Sequence, residues 1–273
     1  MYISIIMLYA EFNKYQNSYR ADKPIPKNWK LNKYGIYNKT QSCFSDYILL
    51  KRLGMGSKGT VFNGCIKKNC SYAIKIQQIN DYMPIEDQYE QLTKECLIAR
   101  MASDEKWGPK FHEYFECTYD RLLFKDLPVT FKDKDILFIM VSELWDGSLE
   151  NLESDQNISD DVVINFEKIV KKMHNSGIIH GDLFPRNILY KYDKNNKITQ
   201  LIPTDFGRSF TMMEYRNNLV DEDYIRDMIV HILDINDEYD ILTLLNITIE
   251  DMIHYPMLFD IYLVEYIKLI LKF

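Results

Sequence analysis

The sequence predicts an α+β fold with a β-rich N-terminal part and a helical C-terminal part. Residues 47–62 read as strand, glycine turn and strand, and residues 70–79 alternate apolar and polar side chains as a strand requires. Residues 85–102 and 159–174 instead repeat apolar side chains at spacings of three and four, which is typical of helices. With 273 residues, 47% of them hydrophobic, the chain can bury a substantial core.

The first element of interest is the glycine turn. Gly54, Gly56 and Gly59, followed by Val61, form the pattern G-x-G-x-x-G-x-V. Backbone N–H groups in such a turn can approach phosphate oxygens closely. The residues after Gly59 favour a strand and lack the apolar spacing of a helix, which disfavours a dinucleotide-binding fingerprint and favours a hairpin over phosphates.

The next strand and helix offer an ion pair. Lys75 shares a strand face with Ala73, and Glu95 lies on the apolar face of the following helix. An unpaired carboxylate on that face would be costly, so we expect Glu95, and not the solvated Glu90, to hold Lys75. The alternatives are a solvated lysine and an ordinary surface charge on the helix.

The string HGDLFPRNIL, followed by TDFG, carries groups suited to phosphoryl transfer. Asp182 could orient an attacking hydroxyl, while Asn187 and Asp205 offer hard oxygen ligands to a divalent cation. Such ligands suit Mg²⁺, which keeps water and substrate phosphates in its remaining positions. The amphipathic helix 159–174 ends just before this string and would fix the direction of Asp182.

In this order, the strings resemble the protein kinase superfamily over about residues 46–207. The resemblance implies a bilobal fold, with an N-lobe at 46–142, a hinge at 143–147 and a shortened helical C-lobe at 148–273. Residues 1–45 carry no catalytic motif and form an N-terminal extension to the kinase-like domain, 46–273.

The resemblance also implies roles for individual residues in an enzyme that uses ATP and Mg²⁺. Asp182 would be the catalytic base, Lys75 would contact the α and β phosphates, and Glu95 would position Lys75. Asn187 and Asp205 would hold the metal ion. The residues that would bind the nucleotide are Leu53, Gly54, Gly56, Gly59, Val61, Ala73, Lys75, Glu143, Trp145 and Leu189.

Three departures from the family pattern shape the expected activity. Gly181 stands where many kinases carry the arginine that receives a phosphorylated activation loop, so we expect activity without such phosphorylation. Phe184 stands where serine/threonine kinases usually carry a lysine. An arginine directly before the asparagine, here Arg186 before Asn187, is a feature that resembles tyrosine kinases. We expect a serine/threonine-protein kinase. A short chain after TDFG predicts a small C-lobe, in which Asp223 and Tyr224 would begin a helix.

The HGD string and the short lobe resemble atypical kinases, whereas the complete glycine loop resembles reduced eukaryote-like kinases of the sort that large DNA viruses and intracellular bacteria carry. Two other functions stay open. A phosphotransferase acting on small molecules of the aminoglycoside or choline type would share ATP binding and Asp182. A pseudokinase scaffold would bind partners without transfer.

The charge of the chain limits the classes of binding partner, and its cysteine content predicts its location. The net charge of -7 argues against broad nucleic-acid binding and mildly favours basic protein substrates. Five cysteines without a C-x-x-C pair predict reduced thiols. Reduced thiols predict an intracellular protein in the cytoplasm. This would be the cytoplasm of the host if the protein is viral or is an effector. Neither terminus predicts a membrane span. The substrate protein and the oligomeric state stay open.

Overall fold

The computed structural model describes residues 29–31, 37–39, 43, 47–56, 59–79, 83–119, 131–132, 134–152, 158–217, 220, 225, 251–252 and 255–270. Contacts divide these residues into two units. The sheet unit holds residues 29–104 and 109–144, and the helical unit holds residues 105–108 and 145–270. The division after Leu144 falls inside the predicted hinge, although the predicted domain boundaries stay predictions. The α+β fold class is confirmed.

Within its described residues, the sheet unit has seven strands in the spatial order β1-β2-β6-β7-β5-β4-β3. The strands β2 and β6 are parallel, and the other neighbouring pairs are antiparallel. The strands are β1 (Trp29–Leu31), β2 (Tyr37–Lys39), β3 (Tyr47–Gly56), β4 (Gly59–Ile66), β5 (Asn69–Gln78), β6 (Phe111–Thr118) and β7 (Ile136–Glu143). The predicted extension, 1–45, therefore contributes two strands to this sheet.

Alternating side chains give the sheet two apolar layers. One layer is a cluster of buried residues from the central strands, including Phe62, Ile74, Phe115 and Leu137. On the other layer, Tyr114 and Phe138 pack with Tyr89, Leu92 and Cys96. Those three residues belong to helix α1, Ile85–Asp104, which is two residues longer than predicted. This packing fixes α1 on the sheet and so fixes the position of Glu95.

The cysteines correct one prediction from the sequence. Cys43 is bonded to Cys117 on β6, and Cys65 on β4 is bonded to Cys70 on β5. Only Cys96 is free, and it is buried. The expectation of five reduced thiols is therefore wrong, because folding brings together cysteines whose spacing in the sequence carries no recognisable pattern. The predicted cytoplasmic location, which rested on reduced thiols, stays a prediction.

As far as its residues are described, the helical unit combines helices with two small sheets. A three-stranded sheet has the order β11-β10-β8, and β12 pairs with β9. The strands are β8 (Gly147–Ser148), β9 (Ile178–Ile179), β10 (Ile188–Tyr192), β11 (Ile198–Pro203) and β12 (Phe210–Thr211). The described part of this unit includes the α-helices α2 (Asp160–Asn175), α3 (Met212–Arg216) and α4 (Met257–Ile270). The predicted helix start at Asp223 and Tyr224 lies outside the described residues.

Helix α2 confirms the amphipathic segment read from the sequence. Its buried side chains are Val162, Val163, Phe166, Val170 and Met173. Ser159 takes the N-cap position, but its side chain makes no capping hydrogen bond. The helix ends at Asn175, shortly before the HGD string, so its buried face anchors the chain that leads into that string. Across the described residues, we find no helix with the length and hydropathy that crossing a membrane requires.

Candidate active site

The glycine turn joins β3 to β4, with Gly56 paired to Gly59 and Gly54 paired to Val61. A methyl group on Gly59 would lie 2.5 Å from the carbonyl oxygen of Ile76, and the φ of Gly59 is 144°. Gly59 is therefore required by the fold itself. A methyl group on Gly54 or Gly56 would meet no described atom within 4 Å, so internal packing does not require these two glycines. Their backbone is open to close approach by a ligand.

Lys75 and Glu95 form a buried ion pair. Lys75 Nζ lies 2.6 Å from Glu95 Oε1, and the side chains are 9% and 4% exposed. Glu90, the other candidate, is exposed on α1. The structure thus brings Lys75 and Glu95 together, and their proposed roles toward phosphate stay predictions.

The free thiol beside this pair is a packing group. Burial raises the pKa of the Cys96 thiol, the neighbouring Glu95 carboxylate raises it further, and Lys75 acts in the opposite direction. The thiol therefore stays protonated at neutral pH and is a poor nucleophile. Its sulfur lies 3.7 Å from the sulfur of Met140 on β7, inside the apolar layer under α1.

The other predicted nucleotide-binding residues divide between the units. In the sheet unit, Leu53 is exposed on β3, while Val61 and Ala73 are half-buried and pair with Lys75 and Ser142, respectively. Glu143 ends β7, where its N–H donates to the carbonyl of Lys110 at 2.8 Å.

Trp145 and Leu189 belong to the helical unit. The ammonium group of Lys191 lies 4.6 Å from the centroid of the Trp145 ring, which is a cation–π contact. Leu189 is half-buried on β10 and pairs with Ser148 on β8.

The string HGDLFPRNIL, residues 180–189, is called the catalytic string below, and it places two polar side chains around one carboxylate. Asp182 is buried, and its Oδ1 accepts a hydrogen bond from Arg186 at 2.8 Å. Asn187 donates its amide nitrogen to Asp182 Oδ2 at 2.9 Å and to the Asp182 carbonyl at 2.7 Å. Because both hydrogen bonds use the nitrogen, the amide oxygen of Asn187 is left to bind a cation. This donor set fits Mg²⁺, which prefers oxygen ligands.

Asp260 is a residue that the sequence analysis missed. It is fully buried on α4, where Oδ2 accepts from the His180 N–H at 2.8 Å and Oδ1 accepts from the Gly181 N–H at 3.2 Å. The ring of His174 on α2 lies 2.9 Å from Oδ2. Asp260 thus holds the backbone of the HGD string. The available signal was a carboxylate between apolar neighbours, in the string FDIY, on a helix rich in apolar residues.

Gly181 is explained by its backbone conformation. Its φ of 70° lies in the left-handed region, which favours glycine. A glycine there avoids the strain that an arginine would carry, while its N–H still reaches Asp260. Glycine at this position therefore fits the left-handed backbone of the string.

The TDFG string lies beside the catalytic string. The N–H of Thr204 donates to the carbonyl of Asn187 at 2.9 Å, which ties the chain before Asp205 to the other predicted metal ligand. Asp205 has a φ of 60°, an uncommon left-handed conformation for a residue other than glycine. The next residue is the buried Phe206. The centroid of its ring lies 5.3 Å from that of the His180 ring and 5.5 Å from that of the Trp107 ring.

Phe184 supports Arg186, which places a positive charge beside the Asp182 carboxylate. Phe184 is buried, and the Arg186 guanidinium lies 4.4 Å above its ring centroid. A cation–π contact of this kind holds the guanidinium in place. The position where the family usually has a lysine therefore supports an arginine two residues later, and that arginine contacts Asp182.

Comparison with known proteins decides the family. Residues 47–259, most of the chain, match the model of the protein kinase domain. The chain belongs to the protein kinase family. This confirms the predicted superfamily and, at the level of the family, the predicted enzyme class, a protein kinase.

The similar proteins include several serine/threonine kinases. The chain is 29% identical to the serine/threonine-protein kinase RIM15 of Saccharomyces cerevisiae, over 64% of this chain and 9% of that protein. It is 28% identical to the probable serine/threonine-protein kinase fhkB of Dictyostelium discoideum, over 60% and 13%. It is 25% identical to the calcium/calmodulin-dependent protein kinase type 1 of Macrobrachium nipponense, over 60% and 43%. The matched region of this protein kinase spans less than half of each relative.

Proposed function

We propose that this protein kinase transfers the γ-phosphoryl group of ATP to a protein hydroxyl in a reaction that depends on Mg²⁺. The observation that carries the proposal is the geometry at Asp182, where Asn187 holds the carboxylate through its amide nitrogen and keeps its oxygen for a cation. The buried pair of Lys75 and Glu95 supports it independently in the sheet unit.

Each group has a defined part in this reaction. The backbone of the glycine turn and the ammonium group of Lys75 bind phosphate oxygens, and Glu95 holds the ammonium in place. Asn187 and Asp205 would hold Mg²⁺, which supplies positive charge that stabilises the transferring phosphoryl group. Asp182 accepts the proton of the acceptor hydroxyl, whose oxygen forms the new bond to phosphorus as the bond to ADP breaks.

We propose serine or threonine as the acceptor residue. Three of the similar proteins carry serine/threonine-protein kinase in their names. Arg186 resembles tyrosine kinases and makes tyrosine the second acceptor to test. An intracellular location remains part of the proposal, because the reaction needs a compartment that supplies ATP.

The decisive experiment incubates the purified chain with labelled ATP, Mg²⁺ and a peptide library that contains serine, threonine and tyrosine acceptors. We expect label in peptides with serine or threonine, and its loss when the metal is chelated. Parallel reactions contain an aminoglycoside or choline in place of peptide. Label in those alcohols alone would replace the proposal with a small-molecule phosphotransferase. Binding of Mg-ATP without transfer to any acceptor would favour the pseudokinase scaffold.

A further inference from the structure

Two arginines share one carboxylate oxygen at the catalytic string. Arg186 Nη2 lies 2.8 Å from Asp182 Oδ1, and Arg208 Nη1 lies 4.0 Å from the same oxygen. The other oxygen, Oδ2, already accepts from Asn187. One negative charge therefore faces two guanidinium groups, and Arg208 at 4.0 Å is too distant for a hydrogen bond to it.

We propose that Arg208, together with Arg186, forms an anion-binding site beside the acceptor position, which selects protein acceptors that carry a carboxylate or phosphate close to the target hydroxyl. The inference rests on the proposed function, because it concerns the acceptor of that same reaction. It names Arg208 as a specificity-determining residue that the sequence analysis did not single out.

A buried aromatic ring anchors each of the short segments that carry the two arginines. Arg186 lies in the 3-10 helix Pro185–Asn187 and stacks on the buried Phe184. Arg208 ends the 3-10 helix Phe206–Arg208, whose Phe206 packs against Trp107. Short segments anchored in this way keep the donors in place before an acceptor arrives, which lowers the entropic cost of binding.

Both guanidinium groups have the capacity to bind a further anion. Their side chains are each 37% exposed, so an incoming peptide can reach them. Each carries five N–H donors in a planar fork that suits carboxylate and phosphate oxygens. Asp182 engages Arg186 by a hydrogen bond, whereas the 4.0 Å distance leaves Arg208 Nη1 beyond hydrogen-bond reach of the same oxygen.

Neutralisation of Asp182 alone does not account for Arg208. Arg186 already supplies a hydrogen-bonded positive charge, and Arg208 Nη1, 4.0 Å from the same oxygen, adds a second positive charge without a hydrogen bond. An anion that contacts both guanidinium groups would be attracted by both charges. The net charge of -7 describes the whole chain, whereas the charge of this group of three side chains is positive.

The test compares matched peptides that differ at one residue beside the acceptor, which is aspartate, phosphoserine, asparagine or lysine. We expect the parent protein to show a kcat/KM about tenfold higher for the two anionic peptides than for the asparagine peptide. Arg208→Gln should remove most of this preference through a higher KM, and Arg208→Glu should invert it toward the lysine peptide. The control is Arg216→Gln, an exposed arginine on α3, which should keep the preference.

Equal use of anionic and neutral peptides by the parent, or a preference that survives in Arg208→Gln, would overturn the inference. A binding measurement separates this from failure of the proposed function. Fluorescence anisotropy with the phosphoserine peptide should show weaker binding to Arg208→Gln than to Arg216→Gln, whether or not transfer occurs. Equal binding to both variants would contradict the site, whereas transfer to no protein or peptide acceptor would contradict the proposed function alone.

Discussion

Lys75 Nζ lies 2.6 Å from Glu95 Oε1, and the surrounding strand and helix remove both groups almost completely from solvent. A buried ion pair of this kind costs desolvation, and removal of one partner leaves an uncompensated charge. The pair therefore ties the position of α1 to that of β5.

Loss of one member of this pair should be costly. We expect Glu95→Gln to lower the free energy of unfolding by about 3 kcal/mol. The matched control is Glu90→Gln on the exposed face of α1, which should change it by less than about 0.5 kcal/mol. Urea unfolding followed by circular dichroism measures both. Equal stability of the two variants would show that Lys75 and Glu95 do not interact in solution.

The glycine turn separates a requirement of the fold from a requirement of the ligand. Gly59→Ala places a methyl group 2.5 Å from a carbonyl oxygen, so it should destabilise the protein by more than about 1 kcal/mol. Gly54→Ala meets no described atom and should leave stability within about 0.5 kcal/mol.

Gly54→Ala, which should leave stability almost unchanged, should still weaken nucleotide binding. Because the open backbone at Gly54 is where phosphate oxygens would approach, we expect Gly54→Ala to weaken Mg-ATP binding about tenfold in isothermal titration. Unchanged affinity of Gly54→Ala would argue that phosphates do not approach the turn at this residue.

Asp260 is expected to act as a positioning residue for the catalytic string. Asp260→Ala leaves the N–H groups of His180 and Gly181 without their acceptor, which would displace Asp182. We expect kcat to fall about 100-fold while the KM for ATP changes little. Asp260→Asn keeps one acceptor oxygen and should lose less.

The control for Asp260 is Asp161→Asn, an exposed carboxylate in the first turn of α2, which should leave kcat near that of the parent. If Asp260→Ala raised the KM for ATP and left kcat unchanged, the assignment of Asp260 to the catalytic string would be wrong.

Thiol titration tests the two disulfides directly. The native protein should show no reactive thiol, because four cysteines are bonded and Cys96 is buried with a raised pKa. One thiol should appear in denaturant without reductant, and five should appear after reduction. Five thiols in denaturant without reductant would show that all five cysteines are reduced, as the sequence analysis predicted.

Local patterns in the sequence were enough to predict much of this molecule. The hairpin of β3 and β4, the strand that carries Lys75 and the helix that carries Glu95 each follow from spacing within about 20 residues, and the structure confirms these elements. The motif order then indicated the family, which the match to the kinase domain confirms.

Long-range relationships could not be predicted in the same way. Asp260 lies 80 residues from His180 in the chain, and Cys43 lies 74 residues from Cys117. No local periodicity records such contacts, because they arise when separate elements pack. The strands β1 and β2 escaped detection for a related reason, since each is three residues long and gains its backbone partners from the sheet.

The most direct test of the central claim compares Asp182→Ala with the parent in a transfer assay and in a thermal shift with Mg-ATP. We expect transfer of label to fall at least about 100-fold, because the hydroxyl loses its base, while the stabilisation by Mg-ATP is retained. Lys75→Ala should lose both, since Lys75 binds phosphate before the reaction begins. Transfer by Asp182→Ala at the rate of the parent would contradict the assignment of Asp182 as the catalytic base.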